Sequence, residues 1–314
     1  MKVGIAGIGA FGLKHLEAIS HISGVEVVCI TGGRDTARLE AIARRFKVPA
    51  VLPSLEACLA LPEIDAIILC GPTQVHAAQA LACLQAGKHV QVEIPMADNL
   101  ADARALAAKQ QETGLVAMAG HTRRYNPSHQ WIHHRIQRGE LVLQQLDVQT
   151  YFFRRSNVNA EGQPRSWTDH LLWHHACHTV DLFQYQTGEV AQEVHGMQGP
   201  LHPALGIAMD MSVQLKVASG ALCTLSLSFN NQGPQGTFFR YICDNGTYIA
   251  RYDELVDGEG KVIDVSGVDV SLNGIELQDR EFFAAIQEHR EPRSGMARVL
   301  PAYETLDRIE KTLK

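Results

Sequence analysis

The sequence predicts an α/β protein of two domains. Residues 1–120 form an N-terminal doubly wound parallel sheet, and residues 121–314 form a C-terminal α+β domain with an open-faced, mostly antiparallel sheet. Three observations predict this division. Short apolar strands alternate with helices up to residue 119. The pattern becomes polar at 121–140, and the runs 210–217 and 222–229 then alternate polar and apolar residues, with Gly220 as a hairpin turn between them.

The first domain is predicted to contain five strands, at 2–6, 25–30, 66–70, 89–92 and 116–119. Helices are predicted between them, at 13–22, 37–46, 75–85 and 100–112. Continuous apolar strands joined by helices form a parallel sheet that is covered on both faces, and right-handed crossovers make that sheet doubly wound. In the second domain a strand is predicted at 144–155 and helices at 168–186, 281–288 and 303–312.

Residues 7–12 read GIGAFG and lie between the first strand and the first helix. In this context Gly7 makes the tight turn, Gly9 lets a pyrophosphate approach the backbone, and Gly12 lets the helix pack against the strand. The free N–H groups of the helix N-terminus attract phosphate. The turn therefore predicts a dinucleotide site that includes Ala10 and Phe11; the alternative is a glycine-rich turn without a ligand.

The residues that follow the second strand indicate which cofactor binds. The strand ends in Thr31, and Gly33 and Arg34 follow it. An NAD site usually carries an acidic residue here for the ribose 2′-hydroxyl, whereas an arginine pairs with a 2′-phosphate. The sequence therefore favours NADP over NAD. The alternative is that Arg34 is a solvated residue of the first helical turn.

The ends of the third and fourth strands supply further candidate cofactor contacts, because carboxyl ends of parallel strands line the ligand crevice. A carboxylate at Glu93 would need hydrogen-bond partners such as ribose hydroxyls. Thr73 can equally cap the following helix. The candidates are Gly71, Pro72, Thr73, His76 and Glu93.

Residues 165–181 contain the densest cluster of titratable side chains. On the predicted helix, His170, His174 and His178 are spaced i, i+4 and i+8 on one face, and His175 points about 100° away. The histidines are a hydrogen-bonded polar face, a zinc site, or a catalytic base. The sequence favours the base, because a neutral imidazole accepts a hydroxyl proton near neutral pH. No metal is predicted, since no carboxylate lies one turn away on that face. His170 and His175 are candidate substrate contacts.

Arginines concentrate around this cluster, which in an acidic chain indicates carboxylate ligands that guanidinium groups bind bidentately. Pairing with surface carboxylates is the alternative for each of them. Tyr125 and Trp167 are either the walls of a flat substrate site or core aromatics. The arginines are Arg123, Arg124, Arg154, Arg155 and Arg165.

Composition excludes several classes of partner. The net charge of −6 leaves no basic surface for nucleic acid or acidic membranes, and no apolar run approaches the roughly 20 residues of a membrane span. The seven cysteines show no C-x-x-C spacing. Together with the lack of a signal-peptide pattern, this predicts a cytoplasmic protein with reduced thiols.

Six short motifs together resemble the glucose–fructose oxidoreductase and inositol dehydrogenase family. The resemblance implies a Rossmann domain followed by an open-faced sheet domain, with the site between them. It also implies homodimers or homotetramers formed through the open sheet, and it places Ile94, Arg123 and Trp167 at the cofactor. The motifs are GIGAFG at 7–12, GPTQVH at 71–76, EIP at 93–95, RYNP at 124–127, SW at 166–167 and HTVD at 178–181.

Longer stretches, such as 91–98 and 164–182, resemble one subgroup of that family. Its members oxidise the cyclic hemiacetal of 4-carboxy-2-hydroxymuconate semialdehyde, a dicarboxylate, to 2-pyrone-4,6-dicarboxylate with NADP. The usual lysine of the family is replaced by Ile94, and its usual aspartate by His174, so His178 or His174 is the expected base. A hemiacetal hydroxyl is more acidic than a simple alcohol and needs less help from a lysine. The alternatives are a sugar or polyol dehydrogenase and a non-catalytic NADP-binding sensor.

Overall fold

A computed structural model describes residues 1–33, 35–158, 162, 164–165, 168–267 and 274–313. The chain divides into two compact units. The first comprises Met1–Gly120 and Ile275–Leu300, and the second comprises His121–Gly274 and Pro301–Lys314. The sequence assigned 275–300 to the second domain. In the structure Phe282 and Phe283 of this segment pack in one apolar core with Val3, so the segment belongs to the first unit.

The first unit contains a six-stranded parallel sheet of order β3-β2-β1-β4-β5-β6. The predicted doubly wound sheet is confirmed. A sixth strand and a short helix at 50–59 were missed, because three- and five-residue elements are too short to show a periodic pattern. The strands are β1 (Lys2–Ala6), β2 (Glu26–Thr31), β3 (Ala50–Leu52), β4 (Ala66–Leu69), β5 (His89–Val92) and β6 (Ala117–Ala119).

Helices join these strands, and one helix from late in the chain joins the same unit. Asn99 starts α5 with its side-chain oxygen on the N–H of Asp102, and Gly114 ends it with a φ of 66°. These are the start and stop signals expected of a helix that returns the chain to a parallel sheet. The helices are α1 (Ala10–Ile19), α2 (Thr36–Phe46), α3 (Leu55–Leu59), α4 (His76–Gln85), α5 (Leu100–Thr113) and α8 (Gly274–Gln287).

The second unit contains a seven-stranded sheet of order β13-β12-β11-β7-β10-β9-β8. Among its neighbouring strands only β7 and β10 are described as a parallel pair, so the predicted mostly antiparallel sheet is confirmed. The strands are β7 (Leu143–Tyr151), β8 (Glu193–Gln198), β9 (Asp210–Lys216), β10 (Leu222–Ser228), β11 (Gly236–Cys243), β12 (Gly246–Arg251) and β13 (Glu254–Asp257).

One face of this sheet is packed and the other is open. Met211, Val213 and Leu215 of β9 are buried, whereas Ser212 and Gln214 between them are exposed. Helix α7 (Cys177–Thr187) contacts β7, and α6 (Pro127–Gln137) contacts β12. Helix α9 (Met296–Glu310) begins in the first unit and ends in the second. None of the helices in the described ranges has the length and apolarity required to span a membrane.

Candidate active site

The glycine turn after β1 has the geometry that a dinucleotide site requires. Gly7 has a φ of 98°, and a Cβ there would lie 2.5 Å from the backbone of Cys70. A Cβ on Gly12 would lie 2.2 Å from the carbonyl oxygen of Gly7. By contrast, a Cβ on Gly9 would meet nothing within 4 Å. Gly9 precedes α1, Ala10 and Phe11 are exposed, and this open space fits a pyrophosphate over the helix N-terminus.

The end of β2 carries no acidic side chain toward this turn. Thr31 is buried, Gly33 has a φ of 87°, and Arg34 lies outside the described residues. Asp35 caps α2 by accepting the backbone N–H of Arg38 at 2.9 Å. The Arg38 guanidinium donates to the carbonyl of Ile8, inside the glycine turn, at 2.8 Å. Sequence reasoning missed this cation, although Arg38 lies in the first turn of α2, only four positions after Arg34 in the sequence.

His76 holds two loops together and is not free to contact a cofactor, which corrects its predicted role. Its Nδ1 lies 2.8 Å from the carbonyl oxygen of Pro95, and its Nε2 lies 2.9 Å from that of Gly71. Pro72 precedes a 3₁₀ turn at Thr73–Val75, so the loop after β4 enters α4 directly. His76 therefore fixes the position of the candidate contacts Gly71, Pro72 and Thr73 rather than joining them.

Glu93, at the end of β5, belongs to a buried polar network. Its Oε1 lies 3.1 Å from Nε2 of His15, and Nδ1 of His15 lies 2.9 Å from both carboxylate oxygens of Asp279. Gln91 donates to Asp279 at 2.7 Å. Burial alone would lower the pKa of His15, but the Asp279 carboxylate outweighs it and raises that pKa well above its usual value.

This network keeps Glu93 ionised. Burial tends to raise the pKa of Glu93, but its hydrogen bond and ion pair with His15 hold that pKa below its usual value. An ionised carboxylate at the end of β5 can accept hydrogen bonds from ribose hydroxyls. Sequence reasoning missed His15 and Asp279, which are 264 residues apart and carry no shared motif.

In the second unit, the predicted continuous helix at 168–186 begins with a π-helical turn at Leu171–Ala176. His170 precedes it with extended backbone, and its Nδ1 accepts the N–H of Leu172 at 3.2 Å. His170 is therefore a helix cap and not the first member of a three-histidine ladder on one helix face, and its role at the substrate stays a prediction. A π turn adds a residue to the helical repeat, which changes the faces on which the later histidines lie.

His178, on α7, is a partly exposed imidazole that stays neutral. Burial lowers its pKa well below the usual value, and the charges of Arg123 and His121 lower it further. The rings of His121 and His178 meet edge to face, with centroids 6.5 Å apart. Nδ1 of His178 is buried and makes no hydrogen bond to the described residues. The ring can therefore accept a proton from a bound hydroxyl.

His174 and His175 lie together beside a carboxylate that the sequence did not place there. Their ring centroids are 5.1 Å apart, so the prediction that His175 points away is wrong. Ligand atoms of Asp169 and both histidines lie within 4.8 Å of one another, in contrast to the expectation that no carboxylate is near. However, Arg154 and Arg165 already form ion pairs with Asp169, and two guanidinium groups oppose the binding of a cation.

Two of the predicted substrate contacts are structural. Arg124 forms a bidentate ion pair with Asp181, with Nε–Oδ2 at 2.7 Å and Nη2–Oδ1 at 2.6 Å. Both side chains are almost completely buried, so Arg124 is not free for a ligand. Tyr125 has no exposed surface and is a core residue. The predictions for Arg124 and Tyr125 are therefore wrong, because the fold uses these side chains to satisfy buried charge and apolar surface.

Of the remaining predicted contacts, Arg123 and Arg155 lie in the described part of the chain. The Arg123 guanidinium packs 4.9 Å from the Tyr252 ring centroid and donates to Asn126. Arg155 is exposed and donates to Oδ1 of Asn230 at 2.9 Å. Trp167 lies outside the described residues.

Comparison with known proteins identifies the family. The family model described as "Oxidoreductase family, NAD-binding Rossmann fold" matches residues 1–121, and the model for "Bacterial oxidoreductases, C-terminal" matches residues 127–269. A 4-carboxy-2-hydroxymuconate-6-semialdehyde dehydrogenase from Sphingobium sp. (strain NBRC 103272 / SYK-6) is 62% identical over 314 residues, which cover 100% of this chain and 99% of that protein. The chain belongs to this oxidoreductase family.

Solved structures share the fold of this oxidoreductase. Levoglucosan dehydrogenase in complex with NADH has a TM-score of 0.85 at 18% identity, covering 99% of this chain and 96% of that chain. An oxidoreductase from Agrobacterium radiobacter in complex with NAD⁺, L-tartaric acid and magnesium has a TM-score of 0.83 at 16% identity, again covering 99% and 96%. The first unit of this oxidoreductase is accordingly an NAD(P)-binding Rossmann domain, and its glycine turn fits that cofactor class.

The positions at which the family resemblance implied a lysine and an aspartate carry Ile94 and His174 in this oxidoreductase. Ile94 is buried and aliphatic. Asp169 lies close to His174. The charged side chains described at Asp169 are the guanidinium groups of Arg154 and Arg165.

Proposed function

We propose that this dehydrogenase oxidises the cyclic hemiacetal of 4-carboxy-2-hydroxymuconate-6-semialdehyde to 2-pyrone-4,6-dicarboxylate. One observation carries the proposal: the 62% identity to a dehydrogenase of that name extends over the whole chain. Identity at this level covers the sequences of both units rather than the nucleotide-binding domain alone. The neutral imidazole of His178 and the guanidinium groups around Asp169 support the same substrate, which has an acidic hydroxyl and two carboxylates.

The reaction removes a hydride from the hemiacetal carbon and a proton from its hydroxyl group. A bound oxidised nicotinamide supplies the hydride acceptor. His178 takes the proton as the C–O bond becomes the lactone carbonyl, and His174 is the alternative base. Burial, and after it the positive charge of Arg123, lower the pKa of His178 and keep the ring neutral before this step, because both disfavour the imidazolium form. Ile94 offers no charge, and the ring oxygen of the hemiacetal stabilises the positive charge that develops on the carbon.

NADP is the proposed cofactor rather than NAD. The end of β2 has no acidic residue for a 2′-hydroxyl, since the Asp35 carboxylate caps α2. Arg38 lies beside the glycine turn and can attract a 2′-phosphate, together with the predicted contact Arg34. Measuring kcat/KM with both cofactors tests this. A clear preference for NAD in the wild-type enzyme would refute it.

The function is tested by offering the ring-fission hemiacetal and a panel of sugars and polyols with NADP or NAD, and by following nicotinamide reduction. The proposal expects rapid reduction with the hemiacetal and formation of the pyrone. Reduction with a sugar or polyol alone would identify a sugar dehydrogenase. Cofactor binding without turnover of any substrate would identify a sensor.

A homo-oligomer formed through the open sheet face is the proposed assembly. That face carries a row of side chains at one level of the sheet, in which Met197 is 73% exposed beside Ser212 and Ser226. Light scattering after size-exclusion chromatography measures the assembly. Ser226→Arg places a charge in the middle of this row and is expected to produce monomers, and an unchanged mass would contradict the assignment.

A location in the cytoplasm is proposed, because the cysteines carry thiols. All seven cysteines carry thiols rather than disulfides, and six of them are buried. Buried thiols suit a reducing compartment. Fractionation of cells that produce the full protein tests this, and recovery in the periplasm would contradict it.

A further inference from the structure

Two guanidinium groups share a single carboxylate near the histidines of the second unit. Arg154 lies in the segment after β7 and Arg165 lies shortly before the π-helical turn, and both contact Asp169. Nη1 of Arg165 lies 3.2 and 3.4 Å from the two oxygens of Asp169, and Nη2 of Arg154 donates to Oδ2. The side chain of Asp169 is 6% exposed, so this cluster is shielded from water.

The two guanidinium groups that contact Asp169 outnumber this carboxylate by one. Both arginines are permanently protonated. Asp169 is ionised, because the surrounding imidazole and guanidinium groups outweigh burial and lower its pKa. His175 is neutral, since burial and its neighbours lower its pKa to about 3. The Arg124–Asp181 pair, by contrast, contains one charge of each sign and has no excess.

The cluster also contains an unused hydrogen-bond donor. Nη1 of Arg154 is buried and makes no hydrogen bond to any described residue. The same guanidinium packs 4.6 Å from the Phe229 ring centroid, which limits its freedom to turn toward solvent. A buried donor without an acceptor is unfavourable, and so is an uncompensated buried charge. A single ligand carboxylate would correct both.

We infer that this cluster binds one of the two carboxylates of the substrate, with Arg154 as the direct contact and Asp169 as a residue that sets specificity. Asp169 neutralises one guanidinium and holds Arg154 and Arg165 together, so the site accepts one carboxylate and discriminates against ions of higher charge. The inference rests on the proposed function, because it assigns a position to one carboxylate of that substrate.

The test combines a protein variant with trimmed ligands. The dissociation constant of 2-pyrone-4,6-dicarboxylate is measured in the presence of NADP, together with those of the 4- and 6-monocarboxylates of 2-pyrone. Arg154→Gln is expected to weaken dicarboxylate binding by roughly 10- to 100-fold. For the monocarboxylate that lacks the group bound by Arg154, the dissociation constant is expected to change by less than about threefold in this variant. Arg154→Lys keeps the charge and is expected to restore part of the affinity.

Equal weakening of all three ligands, or no weakening, would overturn the inference. Arg138→Gln is the matched control, because it removes a guanidinium from an exposed ion pair of the same unit, and it should leave all three dissociation constants unchanged. Failure of the inference is distinct from failure of the proposed function. If the wild-type enzyme neither binds the pyrone nor oxidises the hemiacetal, the proposed function fails instead.

Sulfate inhibition tests the role of Asp169 separately. Asp169→Asn raises the charge of the cluster by one, so inhibition by inorganic sulfate, a dianion, should strengthen by roughly fivefold or more. A purely structural role of Asp169 would weaken the binding of every anion, and that result would contradict its role in specificity. If this variant does not fold, the measurements on Arg154→Gln and Arg154→Lys still decide whether the cluster binds a carboxylate.

Discussion

Arg124→Met is expected to destabilise the second unit without weakening the binding of substrate. The substitution removes a bidentate partner from Asp181, whose side chain is 1% exposed, and leaves a carboxylate in the interior. Breaking such a pair from one side costs about 3–5 kcal/mol. For a unit of this size each kcal/mol lowers Tm by about 2–4 °C, so Tm should fall by roughly 6–20 °C.

The assay is thermal unfolding followed by circular dichroism, with steady-state kinetics on the folded fraction at a lower temperature. The double variant Arg124→Met/Asp181→Leu separates charge from packing. It removes both charges together, and replacing a buried ion pair by apolar side chains often leaves the free energy of unfolding unchanged. We therefore expect the double variant to recover most of the Tm that Arg124→Met loses.

The opposite pattern would refute this reasoning. If Arg124 binds substrate, as the sequence predicted, Arg124→Met would leave Tm within about 2 °C of the wild type and raise KM by roughly tenfold or more. A double variant as unstable as Arg124→Met would also count against the ion-pair explanation. It would show that the packing of the arginine stem, rather than the uncompensated carboxylate, determines the loss.

Three further predictions follow from the same geometry. His178→Ala should lower kcat by roughly 10²–10⁴-fold while the dissociation constant of NADP stays unchanged, and near-full turnover would show that another group is the base. Gly9→Ala should fold with a normal Tm but bind NADP more weakly, whereas Gly12→Ala should lower Tm, because its Cβ would lie 2.2 Å from a backbone oxygen. Since the folded-state pKa of His15 is raised, its contribution to the free energy of unfolding is complete below about pH 6.5 and is lost as pH rises through the folded value. In urea titrations the free energy of unfolding of the wild type should therefore exceed that of His15→Gln by a smaller amount as pH rises from 6 to 9. A difference in the free energy of unfolding that grows over this pH range would contradict the prediction.

Local sequence patterns predicted the elements that depend on neighbouring residues. Strands β1 and β4 are buried on both faces, so their apolar runs are visible in the sequence, and the glycine turn is a contiguous motif. The alternation in β9 and β10 predicted the open sheet face. In each case, the atoms that determine the structure belong to residues only a few positions apart.

The features that sequence reasoning missed depend on residues far apart in the chain or on a small change of helical phase. His15 and Asp279 are 264 residues apart, and Arg124 and Asp181 are 57 apart, so neither pairing leaves a local pattern. The histidine ladder failed for a different reason. The π-helical turn at Leu171–Ala176 adds one residue to the repeat, and i, i+4 spacing then no longer predicts which side chains share a face.

The arginines show why a count of charged residues does not predict ligand capacity. A guanidinium that is removed from water must meet a negative charge, and the protein supplies that charge wherever it can. Arg124 has a carboxylate of its own, whereas Arg154 and Arg165 share one, and Nη1 of Arg154 makes no hydrogen bond to the described residues. The ratio of buried guanidinium groups to buried carboxylates therefore determines which arginines are free to bind a substrate carboxylate. That ratio depends on contacts between distant segments, so it follows from the fold and not from the number of arginines in the sequence.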